Sequence, residues 1–179
     1  KRVKLINDPA ELVALFRAVD SEVRRNVLST LADGWTMISM LNDKFGDEAN
    51  DIIVYYEKFK LIESRWEVNK ETGRPEKSYR TFYNAFQIST SLTFDETQEL
   101  LTVVLMPDKE FIKYEAKIVE LIGEDGTFAN DVGRDIGVSS LTLKGLVRRS
   151  VKFDFKGHNI VPLNCLLYTS PSPRDSALS

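Results

Sequence analysis

The spacing of the apolar residues changes near Ile62 from a helical period to a strand period, and this change limits the possible folds more than any other feature. Upstream of it, apolar residues recur every three or four positions in four short stretches, which predicts four amphipathic helices. Downstream, residues 62–68 alternate between apolar and polar types, a turn at residues 73–75 follows, and residues 77–83 predict a return strand. Short helices followed by a basic hairpin are typical of a winged helix-turn-helix.

Residues that favour helix ends mark the limits of these four helices. Asp8 and Pro9 precede the first helix, Ser21 is expected to cap the second, and Thr36 to begin the third. Asp47 is expected to cap the fourth, whose buried stripe comprises Ala49, Ile52, Ile53, Tyr56 and Phe59. The side chains expected to hold the hairpin against the helices are Ile62, Trp66 and Tyr79.

A second helix-turn-helix is predicted between Phe128 and Ser150. Gly133 supplies the small residue that lets two helices cross closely, and Gly137 supplies the positive φ of the turn. Ser139 or Ser140 then caps the second helix, from which three basic side chains are expected to face outward: Lys144, Arg148 and Arg149. Residues 151–161 alternate again and predict a smaller wing, although a plain helical hairpin remains the alternative for this stretch.

The stretch between the two predicted helix-turn-helix units consists of a strand and two helices. Residues 84–94 alternate in polarity, Asp95 is expected to cap a helix that reaches Leu105, and Pro107 separates this helix from one at residues 109–122. The later helix carries two apolar stripes, and either both are buried within one chain or one of them pairs with a second copy. The residues expected at such a homodimer seam are Leu101, Leu105, Phe111 and Ile118.

These elements divide the chain into four segments. Residues 1–83 form an N-terminal winged helix-turn-helix, residues 84–123 a strand with a helical connector for dimerisation, and residues 124–163 a C-terminal helix-turn-helix. Residues 164–179 are rich in Ser and Pro and resemble the translated adapter sequence found at the ends of metagenomic reading frames; the alternative is a natural disordered tail. The predicted fold class is mainly α with small β-hairpin wings, in a tandem winged helix-turn-helix.

Charge is distributed unevenly along the chain, whose net charge is −3. Lys58 to Arg80 has a net charge of +3 and Lys144 to His158 a net charge of +4, whereas Asp95 to Asp125 has −6. Such segregation indicates either a positive face that binds DNA phosphates or two solvated faces without a ligand. The candidate DNA-binding residues are Asn50, Arg65, Lys70, Arg74, Lys77, Ser140, Lys144, Arg148 and Arg149.

The fourth helix, which is the recognition helix of the first unit, is acidic. Lys58 accompanies four carboxylates along it: Asp47, Glu48, Asp51 and Glu57. Since carboxylates repel DNA phosphates, we expect this helix to pack against protein or to read bases weakly through Asn50. The first wing and the second recognition helix are expected to provide the main DNA contacts.

The residues that an enzyme or a metal site requires are missing from the sequence. No glycine-rich phosphate loop occurs, and His158 is the one histidine and Cys165 the one cysteine. Neither a Ser-His-Asp or Cys-His arrangement nor a four-ligand zinc site can be assembled from them. We therefore expect no catalysis, no cofactor and no metal. The lack of a long apolar run and of a signal peptide, with a lone cysteine, predicts a cytoplasmic protein without a membrane segment.

Several blocks of the sequence resemble archaeal ArsR-like winged helix-turn-helix regulators. They are KLINDPAELVALFRAVDSEVRRNVLSTL, the EKFKLIESRW passage into the wing, and RPEKSYRTFY. Together with DVGRDIGVSSLTLKGLVRRS, they are most similar to a euryarchaeal tandem group that includes regulators of archaellum genes. The resemblance covers residues 1 to about 161 and rests on the order of the blocks, since no single motif is diagnostic.

This resemblance implies a sequence-specific DNA-binding transcription regulator that is dimeric and has no catalytic activity. Its partners would be double-stranded DNA, a second copy of the chain and the basal transcription machinery. Metal-sensing ArsR proteins carry a cysteine-rich motif before the recognition helix, and the chain has no cysteine there, which excludes a thiolate metal sensor. The alternative function is a winged-helix module that contacts proteins in a transcription or other assembly.

Overall fold

The computed structural model of the chain describes residues 2–163, and these residues form two compact units. The first unit contains residues 2–4 and Ala18–Gln87, and the second contains Leu5–Arg17 and residues 88–163. This division differs from the expected boundaries in two respects: residues 5–17 join the second unit, and so does the helical connector. Cys165 and the Ser- and Pro-rich tail lie outside the described residues.

The chain begins with strand β1 (Val3–Ile6) and helix α1 (Glu11–Ala18). The first unit continues with six elements: α2 (Glu22–Asp33), β2 (Thr36–Met37), α3 (Ile38–Phe45), α4 (Glu48–Lys58), β3 (Ile62–Val68) and β4 (Pro75–Thr81). Its antiparallel sheet has the order β2-β4-β3, with Thr36 opposite Tyr79 and Ile62 opposite Thr81. Strand β5 (Ala85–Ile88) pairs with β1, and the boundary between the units falls within both of these strands.

The second unit repeats this arrangement after two longer helices. Its elements are α5 (Phe94–Leu105), α6 (Asp108–Leu121), β6 (Thr127–Phe128), α7 (Ala129–Ile136), α8 (Ser140–Arg149), β7 (Phe153–Lys156) and β8 (Asn159–Pro162). The sheet order β6-β8-β7 matches the order β2-β4-β3 of the first unit. Each unit thus runs strand, helix, helix, hairpin. The predicted fold class, mainly α with small β-hairpin wings, is confirmed.

Two of the expected helix caps, and the turn between α7 and α8, are confirmed. Ser21 Oγ accepts a hydrogen bond from the backbone N–H of Arg24 at 3.1 Å. Ser139 Oγ accepts one from the backbone N–H of Thr142, also at 3.1 Å, which makes Ser139 the cap of α8. Gly137 has φ 74° and ψ 36°, a left-handed conformation that glycine adopts without steric cost. The α7–α8 pair is therefore a helix-turn-helix with the predicted turn.

Two expected helix starts are wrong, and a third start is as expected but lacks its side-chain hydrogen bond. Thr36 pairs with Tyr79 in β2, so α3 begins two residues later. Asp47 holds the N-cap position of α4, but its side chain makes no capping hydrogen bond. Thr93 caps α5 in place of Asp95, because its hydroxyl accepts a backbone N–H three residues along at 3.2 Å. At α3 strand pairing takes the expected residue, and at α5 a nearby hydroxyl makes the cap instead, neither of which residue type alone reveals.

Tyr56 of α4 lies at the centre of the first unit. Its ring is fully buried, and its hydroxyl is shared between the backbone carbonyls of Ala18 at 2.7 Å and Arg24 at 2.8 Å. The predicted apolar stripe of α4 is buried throughout, which confirms that face of the helix. Because these hydrogen bonds are buried, removing the hydroxyl would leave buried carbonyls without a donor and would lower the free energy of unfolding.

The hairpin of the first unit is held by fewer apolar side chains than expected. Ile62 and Tyr79 are buried, but Trp66 is only half-buried, with the Nζ of Lys77 5.6 Å from its ring centroid. Trp66 stands directly opposite Lys77 in the β3–β4 ladder. The expectation that Trp66 is a core residue needs correction, because alternation along an edge strand does not decide which face meets the helices.

The core of the second unit explains why the N-terminal helix belongs to it. Val13 of α1 is fully buried in the same apolar cluster as Val103 of α5, Ile118 of α6 and Leu146 of α8. Gly145 of α8 lies at the closest approach, because a Cβ placed there would be 3.3 and 3.4 Å from the methyls of Val103 and 3.4 Å from a methyl of Val13. The lack of a side chain at this position lets α8 pack directly on α5 and α1.

Candidate nucleic-acid interface

A groove of about 690 Å³ in the second unit combines the helix-turn-helix with the second hairpin. Helix α7, helix α8 and the β7–β8 turn each line it with polar or basic side chains: Asn130, Arg134, Ser140, Lys144, Arg148 and His158. Asp8 is the carboxylate among the lining residues. This is the surface on which a recognition helix and a wing act together in winged-helix proteins.

Two predicted residues of α8 are exposed on this surface. Ser140 and Lys144 lie one helical turn apart on the first half of the helix, and both are exposed. Leu141, between them, is half-buried and packs against the core of the unit. The exposed face of the first half of α8 is therefore polar, and Leu141 has mainly a packing role.

Arg148 occupies a more constrained position than predicted. Its guanidinium lies 3.7 Å from the carboxylate of Asp154 and 4.0 Å from that of Asp8, and it stands over the ring of Phe155 at 5.9 Å. The side chain is half-buried by these neighbours. Two carboxylates reduce the positive charge that Arg148 presents to an approaching phosphate.

The expectation that Arg149 faces outward is wrong. Its guanidinium is buried, with the residue only 5% exposed, and Nη1 donates to the backbone carbonyls of Val103 at 2.9 Å and Met106 at 2.7 Å. Nη2 donates to Asp108 at 2.8 Å, and the group stacks on the ring of Phe111 at 4.4 Å. The end of α5 leaves these carbonyls without helical partners, and a buried arginine with several donors satisfies them.

The hairpin of the first unit carries the other predicted basic residues, which fall into two groups. Lys70 and Arg74 are exposed beside the β3–β4 turn. Arg65 pairs with Glu67 and lies over the ring of Trp35 at 4.1 Å, while Lys77 is half-buried against Trp66. Lys70 and Arg74 therefore present more accessible charge than the two residues within the strands.

The recognition helix of the first unit exposes carboxylates. Asn50 is exposed, but so are three acidic neighbours: Asp47, Glu48 and Asp51. Burial raises the pKa of Glu57 farther along α4, against a smaller lowering by the nearby charge of Lys77. The exposed face at the start of α4 is thus acidic, as the sequence predicted.

Helices α5 and α6 expose apolar side chains, although not all of those predicted. Phe111 and Ile118 lie in the core, Ile118 with 0% exposure, so neither is available to a partner. The exposed apolar residues on these two helices are Phe94, Leu101, Leu105, Ile112, Val119 and Leu121. Of the two stripes on α6, the one through Ile112 and Val119 is the one that faces solvent.

A comparison with protein families identifies the chain. The profile described as ArsR transcriptional regulator matches residues 6–164, which is most of the chain. The chain belongs to the ArsR family. A search of curated proteins found no match. The family assignment means that this ArsR-family chain is a transcriptional regulator, in agreement with the resemblance drawn from its sequence blocks.

The described residues of this ArsR-family regulator contain no metal site and no membrane span. No group of three or more His, Cys, Asp or Glu side chains within residues 2–163 is arranged to hold a metal ion. None of the helices in the same range is long and apolar enough to cross a membrane.

Several functional candidates of this ArsR-family chain were not found by sequence reasoning. Asn130 and Arg134 line the groove from α7, and Arg134 also pairs with Asp131 on the surface. Trp35 is covered by Arg65 at 4.1 Å and by Arg80 at 4.5 Å. The helical spacing of Asn130 and Arg134 was a usable signal, because residues four apart share a helix face. The sequence around Trp35 gives no sign that two arginines 30 and 45 residues later lie over its ring.

Proposed function

We propose that this ArsR-family regulator binds double-stranded DNA through the groove face of its second unit. The observation that carries the proposal is the convergence of Ser140 and Lys144 from α8, Arg134 from α7 and His158 from the hairpin turn on one face. A helix that presents a short polar and a basic side chain from its first turns suits the major groove of B-DNA.

The roles of the side chains follow from their exposure. Lys144 donates to the O6 and N7 acceptors of guanine, and Ser140 contacts a neighbouring base edge. Arg134 and His158 contact the phosphates on either side. The ion pair of Arg134 with Asp131 is exposed and therefore weak, and His158 is exposed in the hairpin turn. Lys70 and Arg74 of the first hairpin add further phosphate contacts.

We further propose that two copies of the chain pair through the exposed stripes of α5 and α6. Leu105 is 75% exposed and Ile112 57% exposed, and four further large apolar side chains on these two consecutive helices are exposed as well. A two-fold dimer would bury them and present two recognition helices to the two halves of a palindromic site. The regulator would act in the cytoplasm, without catalysis, as an archaeal tandem helix-turn-helix protein that also contacts the basal transcription machinery.

The test is a salt titration of binding to two duplexes, one selected from a random pool and one of random sequence. For the selected duplex, Lys144→Ala should weaken binding by about 1–3 kcal/mol, while binding to the random duplex changes much less. Replacing Arg74 by alanine should weaken binding to both duplexes equally and lower the salt slope by about 0.9.

Lys117→Ala provides the matched control, since Lys117 is an exposed lysine on α6 away from the groove. It should leave both affinities unchanged. The proposal fails if the wild type binds neither duplex. Base reading by α8 fails if Lys144→Ala lowers both affinities by the same factor.

A second candidate function is protein contact by the first unit. A groove of about 710 Å³ there is lined by the exposed apolar side chains of Met40 and Val68. Its charged lining residues are three carboxylates and one lysine: Asp43, Glu67, Glu71 and Lys70. This surface favours a basic, partly apolar protein segment over DNA. Binding of a Lys- and Leu-containing helical peptide that Met40→Lys abolishes would support it; equal binding by the variant would not.

A further inference from the structure

The recognition helix α8 is held at both ends by helix α5. At its N-terminus, the carboxylate oxygen Oε2 of Glu99 accepts hydrogen bonds from Ser139 Oγ at 2.6 Å and Thr142 Oγ1 at 3.1 Å. At its C-terminus, Arg149 donates to the carbonyls of Val103 and Met106. The order of these contacts means that the two helices run in the same direction, side by side.

The middle of α8 has no freedom to slide between these anchors. Gly145 lies against the methyls of Val103, which is fully buried, so an axial shift of α8 would force its neighbouring side chains into α5. A third anchor lies on α6, where Glu115 accepts a hydrogen bond from Ser150 Oγ at 2.6 Å and forms an ion pair with Lys152 at 3.2 Å. The polar contacts set the position of α8 along its axis, and the contact at Gly145 sets the distance between α8 and α5.

We propose that Glu99 and Arg149 are positioning residues that fix α8 along α5 and thereby make base discrimination possible. This inference rests on the proposed DNA-binding function. Neither residue needs to reach DNA: Arg149 is buried, and the hydrogen bonds of Glu99 are to the first turn of α8. Hydrogen bonds to base edges require placement of a donor within a fraction of an ångström, whereas phosphate attraction tolerates small displacements. Loss of an anchor should therefore reduce sequence discrimination more than non-specific affinity.

Glu99 is the better residue to vary, because it is half-buried and lies outside the apolar core. Glu99→Ala removes both hydrogen bonds to α8. Glu99→Gln keeps an oxygen acceptor for Ser139 and Thr142 but removes the negative charge. The two variants distinguish a positioning effect from an electrostatic one. If Glu99 acted only by repelling DNA phosphates, both variants would have the same effect, because both remove its charge.

The control is Glu96→Ala on the same helix. Glu96 Oε1 accepts from Thr93 Oγ1 at 3.2 Å, a contact within α5 that does not involve α8. Glu96→Ala should lower the melting temperature by weakening the start of α5. If Glu99 were merely structural, the two alanine variants would have the same effect on DNA binding.

The experiment measures affinity for the selected and the random duplex, with the salt slope and melting temperature of each variant. Glu99→Ala should lower the selected-to-random affinity ratio about tenfold without changing the salt slope, and Glu99→Gln and Glu96→Ala should keep the ratio within about twofold of the wild type. The inference is overturned if Glu99→Ala keeps the wild-type ratio, or if both Glu99 variants raise affinity for both duplexes equally. A wild type that binds neither duplex defeats the proposed function itself, and this inference with it.

Discussion

At the scale of single residues, the surroundings of a charged side chain decide its role more than its type does. Lys144 and Arg149 lie on the same helix, five residues apart, yet one is exposed beside the groove and the other is buried against α5. Arg149 has three donors satisfied by two carbonyls and a carboxylate. A buried guanidinium is stable only with such partners, so its position identifies a structural role.

Tyr56 provides a residue-scale prediction of stability. Tyr56→Phe removes the hydroxyl that serves the carbonyls of Ala18 and Arg24 and leaves both of them buried or partly buried. We expect the free energy of unfolding to fall by about 1–3 kcal/mol, measured by urea denaturation at pH 7. An unchanged denaturation midpoint would mean that water replaces the hydroxyl at these carbonyls.

The same residue predicts how stability depends on alkaline pH. Burial raises the pKa of Tyr56 well above its usual range, with the charge of Arg24 lowering it less, and burial also raises the pKa of Tyr79. A raised folded-state pKa contributes stability that is present below the unfolded pKa of about 10 and is lost as pH rises above it. The free energy of unfolding should therefore fall above about pH 10. In Tyr56→Phe this fall should be shallower but not absent, because Tyr79 remains.

At the scale of elements, the hairpin of the first unit is tied to α3 by a carboxylate. Glu76 of β4 accepts hydrogen bonds from the backbone N–H of Ser39 at 3.2 Å, from its hydroxyl at 2.5 Å, and from Asn69 at 3.1 Å. Burial raises the pKa of Glu76, but the hydrogen bonds from Ser39 and Asn69 outweigh it and the net pKa is lowered. The carboxylate also lies at the N-terminus of α3, where negative charge is favourable.

This arrangement predicts a pH-dependent effect of Glu76→Gln. A lowered folded-state pKa contributes stability that is present above the unfolded pKa of about 4.3 and is lost as pH falls. Glu76→Gln should therefore lower the free energy of unfolding at pH 7, and its difference from the wild type should shrink as pH falls below about 4. Urea denaturation between pH 3 and pH 7 measures both. A difference that stays constant with pH would mean that the ionised form of Glu76 contributes no extra stability.

The contact between α8 and α5 predicts an unusual effect of alanine. In a helix interior, Gly→Ala commonly stabilises by about 1 kcal/mol. At Gly145 the added methyl meets three methyls of the fully buried Val103 and Val13, which have little room to move. We expect Gly145→Ala to cancel that gain and to lower the melting temperature.

Gly133→Ala is the matched control for this prediction. Its Cβ would lie 3.4 Å from one terminal methyl of Leu143 and 3.6 Å from the carbonyl oxygen of Val138, and a leucine side chain can adjust. It should therefore be better tolerated than Gly145→Ala. The reverse order of melting temperatures would place the tighter helix contact at α7.

At the scale of the whole molecule, the two units share one order of elements but differ in surface charge. The groove of the second unit has three Lys or Arg side chains and one carboxylate among its lining residues, whereas the groove of the first unit has three carboxylates and one lysine. Both units keep the buried faces that the fold requires. Divergence at the exposed positions lets one chain present a basic surface and an acidic surface on similar scaffolds, which suits two different partners.

The proposed dimer gives the prediction at this scale. Ile112→Glu should produce a monomer in sedimentation velocity at micromolar concentration and weaken binding to a palindromic site, because a buried unpaired carboxylate opposes association. Val68→Glu is the control, since Val68 is also 57% exposed but belongs to the first unit. It should leave the oligomeric state unchanged. Ile118 is unsuitable for this purpose, because its burial in the core means that a charge there would unfold the unit. A wild type that sediments as a monomer would contradict the dimer.

Local patterns were sufficient for most of the elements and for part of the site. The period change at Ile62, the Gly137 turn and the Ser139 cap are each determined by neighbouring residues, and each is found in the structure as predicted. Lys144 could be identified because it lies on the side of α8 opposite its apolar positions. Asn130 and Arg134 were not predicted: their spacing of four places them on one face of α7, but it does not show that this face lines the groove.

What the sequence by itself determined is the succession of helices and hairpins, because hydrophobic period, caps and turn glycines act within a few residues of each other. Only the tertiary structure decided that α1 packs with the second unit, that Phe111 and Ile118 are core, and that Arg149 is buried. Each of these depends on contacts between residues far apart in the chain: Val13 with Val103, Glu99 with Ser139, Arg149 with Met106. An amphipathic pattern indicates that a face is buried, but the identity of the element that covers it depends on how the helices pack in three dimensions.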